Sequence, residues 1–219
     1  MRLTKLTHSC VRIEAGGRTL VIDPGAWGPT DDLAGAGAAL ITHEHADHFE
    51  PDRLRVHAAA NPDFRVFANT AVAGQLADLG DRVVTVADGD SIDAAGFAVR
   101  VVGRLHASIH PDIPQALNVC FLVEGRVFHP GDSFTAPPDS GLTLLLPLSA
   151  PWLKLAEAID YARAARPAIA IPIHDGILNE RGTGLGGRLL GTPGMLGPGA
   201  DGVPPQFRPL AIGESIEIA

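Results

Sequence analysis

Short apolar runs make up most of this chain, and nearly every one stops at polar or turn-forming residues. Residues 3–7, 11–14 and 19–23 read as a short antiparallel strand series, with Gly16-Gly17 as a hairpin turn. Residues 38–41 read as a buried strand. Residues 52–60 predict a helix opened by Pro51, and residues 70–79 a second one ended by Gly80. Strands at 83–86, 97–105, 117–123 and 127–129 predict a second sheet. A helix over 152–165 carries Trp152, Leu155, Ile159 and Ala162 along one face, followed by strands at 168–173 and about 215–218. Residues 182–205 hold nine glycines and four prolines and read as one long loop, either a lid over a neighbouring site or a surface excursion. Pattern alone gives a mixed α and β domain spanning 1–219, with no internal repeat.

Composition narrows the class. Of 219 residues, 46% are hydrophobic and 19% charged, which suits one well-buried globular core. The net charge of −8 and the absence of a basic stretch exclude a general nucleic-acid binder, which needs a cationic track to displace counterions. Cys10 and Cys120 are too few for a disulfide scaffold and read as small buried hydrophobes. The N-terminal residues show no apolar core of a signal peptide, and the most apolar stretch, 142–153, is cut by Pro147 and Pro151. A cytoplasmic protein without a membrane partner is expected.

The chemistry lies where the apolar runs end. Just past residues 38–41 comes Thr42-His43-Glu44-His45-Ala46-Asp47-His48, a His-x-His-x-Asp-His spacing that no packing or turn requirement demands. Imidazole nitrogens and carboxylate oxygens suit a first-row divalent metal, and four donors within six residues can serve two ions. His106, Asp132 and His174 each follow another apolar run. The ordered set resembles the signature of the metallo-β-lactamase superfamily over about residues 1–180.

That resemblance implies an α+β fold, a four-layer αββα sandwich of two mixed sheets with outer helices. It assigns His43, His45 and His106 to one metal, Asp47, His48 and His174 to a second, and Asp132 as the bridge. The implied cofactors are two divalent ions, zinc first, with manganese or iron compatible with the same donors. The implied activity is hydrolysis of a small-molecule lactone, ester or phosphodiester by metal-bound hydroxide, formed because the ions lower the pKa of bound water toward neutrality. Asp47 is placed as a catalytic residue that orients the nucleophile. His110, four residues after His106, is a candidate donor to substrate or leaving group. His8 resembles part of a Gly-His-Ala/Ser element of small family members, with Thr7 in place of the glycine. Asp23 and, less directly, Asp175 are candidates to hold a ligating histidine.

Within the superfamily the compact chain is similar to the small lactonase and phosphodiesterase-like members related to ascorbate-phosphate lactonase. The only tyrosine, Tyr161, falls on a helix, and Arg104, Lys154 and Arg181 are scattered rather than converging. Two other readings stay open: a mononuclear iron oxidoreductase on the same fold, and a binding module without turnover.

Overall fold

In the computed structural model, which describes residues 1–219, two seven-stranded sheets pack face to face. The first contains β1 (Arg2–Thr7), β2 (Cys10–Ala15), β3 (Arg18–Ile22), β4 (Ala38–Ile41), β5 (Arg65–Ala68) and β6 (Val83–Thr85), with β14 (Ser215–Glu217) beside β1. The second contains β7 (Ser91–Ala94), β8 (Phe97–Val102), β9 (Cys120–Val123), β10 (Val127–His129), β11 (Thr143–Pro147), β12 (Ile169–Ile173) and β13 (Gln206–Phe207). In each sheet an antiparallel series passes into parallel strands: β3 through β6 run together, as do β10 through β13. The C-terminal ends of the parallel strands therefore share an edge.

Alternation along the strands builds three apolar layers. Leu40, Leu145, Ile171 and Ile173 point between the sheets, together with Leu3, Ile13, Phe97, Val99 and Phe121. Their sequence neighbours point outward: Ala39 and Ile41 meet Leu54 and Ala58 of α1 (Pro51–Ala60) and Val72 of α2 (Thr70–Gln75). On the far side, Leu144, Leu146 and Ala170 meet Ala158, Tyr161 and Ala162 of α3 (Leu155–Ala165). Strands buried on both faces need continuous apolar runs rather than strict alternation, as Ala38–Ile41 and Thr143–Pro147 show. The result is the four-layer αββα sandwich.

Several local expectations change. Residues 180–190, whose second part was expected to belong to a glycine-rich loop, form helix α4 (Glu180–Leu190). Asn179 caps it by accepting from the Gly182 N–H at 3.0 Å. Glycines in a helix cost up to ~1 kcal/mol each relative to alanine. Tertiary packing offsets this: Gly186 is buried so close to Leu148 that a Cβ would sit 3.0 Å from its Cδ1, and Leu190 is buried beneath the helix. Irregular chain follows only from about residue 191 to the short strand β13. The segment at 143–147, within the apolar stretch that Pro147 and Pro151 cut, is a central strand, and Arg65–Ala68 is a further parallel strand. The helix from Thr70 stops at Gln75 and gives way to a 3-10 segment, Ala77–Arg82. No helix is long and apolar enough to cross a membrane.

Candidate metal centre

At the shared strand edge the backbone is tied down before any donor is presented. Thr42, just past β4, accepts at its carbonyl from the Val119 N–H of the opposite sheet and from Asn69 Nδ2, both at 3.0 Å. Asn69 is also the cap of α2, accepting from the Ala71 and Val72 N–H groups. Asp23, past β3, accepts from the Thr42 N–H at 2.8 Å and the Thr42 hydroxyl at 2.7 Å. The following loop is tight, with His48 and Phe49 N–H both donating to the His45 carbonyl, and Phe49 is buried among the apolar residues under α1. Gly25 is obligatory here, because a Cβ would fall 2.0 Å from the Asp47 carbonyl oxygen. Gly131, at φ +57°, likewise leaves no room beside Asn118 and Thr42 and turns the chain so that Asp132 enters the centre.

The donors gather in two adjoining groups. His43, His45, His106 and Asp132 have ligand atoms within 4.8 Å of one another, and so do His8, Asp47, His48 and His174. Asp132 reaches both groups. Its Oδ2 lies 3.3 Å from His106 Nε2, 3.9 Å from His43 Nε2 and 3.0 Å from His174 Nε2, while Oδ1 is 3.1 Å from His48 Nε2. Asp47 Oδ2 lies 3.5 Å from His174 Nε2 and 3.7 Å from His48 Nε2.

Whether these residues fit metal ions is answered by their unmet hydrogen-bonding capacity. His48 Nε2, His106 Nε2, His174 Nε2 and Asp132 Oδ1 are all buried without a properly aligned partner, although each of the three nitrogens lies 3.0–3.3 Å from an Asp132 carboxylate oxygen. Buried polar atoms are almost always paired, so four orphans converging on one place fit cations. The opposite ring nitrogens are all engaged. His48 Nδ1 lies 2.7 Å from Asp23 Oδ2, His106 Nδ1 contacts the Ala107 carbonyl at 2.5 Å, His174 Nδ1 contacts the Ser149 carbonyl at 2.6 Å, and His43 Nδ1 lies 3.0 Å from the Thr42 hydroxyl. Such contacts fix each ring so that Nε2 is the free donor. His45 is turned the other way, with Nδ1 3.0 Å from His43 Nε2.

Electrostatics point the same way. Burial pushes His43 well below the ordinary histidine value, which favours the neutral, ligating form. Burial also resists ionisation of Asp132, but His48, His106 and His174 outweigh it and hold the carboxyl well below its usual range. Asp47 is lowered as well, its burial outweighed by contacts with His174 and His8. Burial of His174 is in turn outweighed by Asp132 and Asp47, which raise it to about 9. Without cations, protons on the imidazoles are what balance these two carboxylates.

All seven residues expected as donors thus meet at one edge. Asp23 stands behind His48 as expected. His110 does not join them: it sits on the exposed loop, its ring facing Asp112 at 3.6 Å and 61% exposed. The four-residue offset from His106 carries it outward rather than into the centre. Asp175 is turned away and pairs with buried Lys5, at 2.5 Å. His129 braces the Gly131 turn, accepting from its N–H, while Nε2 donates to the Ser9 carbonyl of the first sheet. Two residues acquire roles the sequence did not give them. Trp152 Nε1 donates to Asp132 Oδ2 at 3.0 Å, and His8, fully buried, contacts Asp47 Oδ2 at 3.1 Å. Trp152 was readable only as an apolar helix-face residue, and the helix in fact begins at Leu155.

A two-sheet αββα frame with a His/Asp centre on its open edge fits a metal-dependent hydrolase, and family comparison agrees. Residues 2–174 match the family model described as a beta-lactamase superfamily domain, and the chain belongs to the metallo-β-lactamase superfamily. Among its relatives, protein Rv0786c of Mycobacterium tuberculosis is 39% identical over 191 residues, covering 84% of this chain and 89% of that protein. A UPF0173 metal-dependent hydrolase of Aeropyrum pernix is 28% identical over 212 residues, covering 80% and 82%. Among solved structures, the metallo hydrolase Igni18 of Ignicoccus hospitalis superposes with a TM-score of 0.73 at 19% identity, covering 98% of this chain and 97% of that one. The diiron β-hydroxylase CmlA of Streptomyces venezuelae shares the fold, with a TM-score of 0.69 at 16% identity over 98% of this chain and 53% of its own.

Proposed function

We propose that this chain is a two-metal hydrolase of small, uncharged esters or lactones carrying an apolar group. His43, His45 and His106 would hold one divalent ion, Asp47, His48 and His174 the other, and Asp132 would be shared. The convergence of four unpartnered buried donor atoms carries the reading. Nitrogen and carboxylate donors without a thiolate suit zinc, with manganese or iron as the next candidates. Ions held there supply an activated water at neutral pH and a Lewis acid for the substrate oxygen.

The chain's own residues do the arranging. Asp23 fixes the ring of His48, and Trp152 Nε1–H together with the Asp132 N–H, which donates to Asn118 Oδ1 at 3.0 Å, fixes the shared carboxylate. Asp47 is kept ionised, ready to orient or accept a proton. The surroundings support the substrate class. Trp27, Leu105, Ile109, Ile113, Leu117 and Ile177 lie on loops that carry or touch donors, and each is between 37% and 52% exposed. An apolar rim of this kind favours a substrate with an alkyl or aryl part. Arg104, Lys154 and Arg181 make no hydrogen bond or ion pair with the centre, and Arg104 opens instead onto a separate cavity beside Asp88 and Asn69. A phosphodiester is therefore the lesser expectation.

Elemental analysis of untagged protein, with assays on matched lactone, carboxylic ester and phosphodiester panels, tests this reading. Two zinc or manganese ions per chain, with ester or lactone turnover lost on chelation and restored on re-addition, is the expected result. Faster phosphodiester turnover would overturn the substrate class. Iron with oxygen consumption and no hydrolysis would favour the oxidative reading, which the fold shared with a diiron hydroxylase keeps in view.

A further inference from the structure

We propose that His8 is a positioning residue that stands outside the ligand set: a neutral imidazole donating from Nε2 to Asp47, which leaves the second metal pole with an open position. This rests on the two-ion reading above. By distance alone His8 would join Asp47, His48 and His174, beside the shared Asp132, as a further ligand. Its hydrogen bonds argue otherwise. Nδ1 accepts from the Gly176 N–H at 3.0 Å, and a backbone amide has a proton only to give. The lone pair of the neutral ring is then on Nδ1 and its proton on Nε2. Nε2 faces Asp47 Oδ2 at 3.1 Å and can only donate to it.

The ring has no freedom to reverse this. One face packs against His174, with centroids 4.0 Å apart, and another side meets Trp27 at 4.6 Å. A Cβ on Gly176 would sit 3.0 Å from His8 Nδ1, so the amide approaches as closely as it does because residue 176 is glycine. The His8 carbonyl also accepts from the His174 N–H at 3.0 Å, so backbone and ring together clamp the end of β12. His8 adopts φ +40° to make both bonds, in a region that disfavours side chains. A catalytic metal site keeps a position free for water or substrate, and each further protein donor removes one. With His8 donating to Asp47, the second pole is left to Asp47, His48, His174 and the shared Asp132, and no fifth protein donor closes it.

Nitrogen-15 labelling of histidine with long-range proton–nitrogen correlation spectra reads the tautomer of His8 directly, with the His8→Gln spectrum identifying its signals. The expected result is a proton on Nε2 both before and after two equivalents of zinc, with two zinc ions retained per chain. Loss of that proton on zinc addition, or a proton on Nδ1 in either state, would overturn the proposal while leaving the two-ion reading intact. Failure to retain zinc at all would overturn the two-ion reading, and the open position with it. In variants, His8→Ala should still take two zinc ions but hold the second about 10- to 100-fold less tightly, with His8→Gln recovering most of the difference through its amide N–H. A stoichiometry of one zinc in both variants would make His8 a ligand.

Discussion

The space between the sheets and the edge where the donors meet are buried to a similar depth, yet burial acts on them with opposite sign. Leu40, Phe121, Leu145 and Ile171 are fully enclosed in regular strands, and removing them from water stabilises the fold directly. His48, His106, His174 and Asp132 are enclosed almost as completely, but there burial leaves ring nitrogens and a carboxylate oxygen without partners. The backbone differs in the same way. His8, Asp23 and His174 all take positive φ at the edge, at a cost of roughly 1–3 kcal/mol each. The interior strands hold the edge in a form it would not keep alone, and cations bound there would complete what side chains leave unmatched.

Single substitutions should separate these two kinds of burial. The largest effect is expected from Asp132→Ala, which removes the carboxylate shared by both groups: turnover should fall about a thousandfold or more, roughly 4 kcal/mol in the barrier, with circular dichroism little changed. Near-normal turnover would sink the ligand assignment. Phe121→Ala should do the converse, costing about 3–5 kcal/mol of stability in denaturant titration while folded molecules keep their activity. Asp23→Asn should weaken metal binding about 10- to 100-fold in competition with a chelator, because His48 loses a charged partner.

Metal binding should also depend on pH. His174 is raised from 6.5 to about 9 by the two carboxylates. Because the folded value is the higher one, its contribution to the stability of metal-free protein is full below about pH 6.5 and lost as pH rises through about 9. That same proton competes with a metal for Nε2. The gain in melting temperature on zinc addition should therefore widen between pH 6.5 and 9, and a gain flat over that range would argue against His174 as a ligand. Smallest of all, His110→Ala should leave kcat and KM unchanged within error, since its ring is in solvent beside Asp112.

What could be read from sequence and what could not divides along the same line. The donors were legible because their chemistry is local: a run such as Ala38–Ile41 announces a strand, and polar donors straight after it announce a site at its end. Relations across the fold were not legible. The tautomer of His8 is set by an amide 168 positions away, and Trp152 meets Asp132 only because the chain past β11 folds back over the edge. The four-layer frame came from family resemblance, since strand runs alone do not fix which faces pack together. Helix α4 was hidden because glycine spacing reads as a loop until Leu148 is known to lie beneath it. His110 lies on the exposed loop outside the donor cluster, because closeness in sequence to His106 does not fix which way a loop turns.

The scatter of donors along the chain gives the centre a timetable. His43, His45, Asp47 and His48 lie within six residues, but His106, Asp132 and His174 come later, and His174 is seated by the His8 carbonyl from the opposite end of the sequence. A nascent or partly unravelled chain can offer only a fragment of either pole. The number of ions retained would then report how far assembly has gone, with one for a chain whose last parallel strands are undocked and two for the finished sandwich.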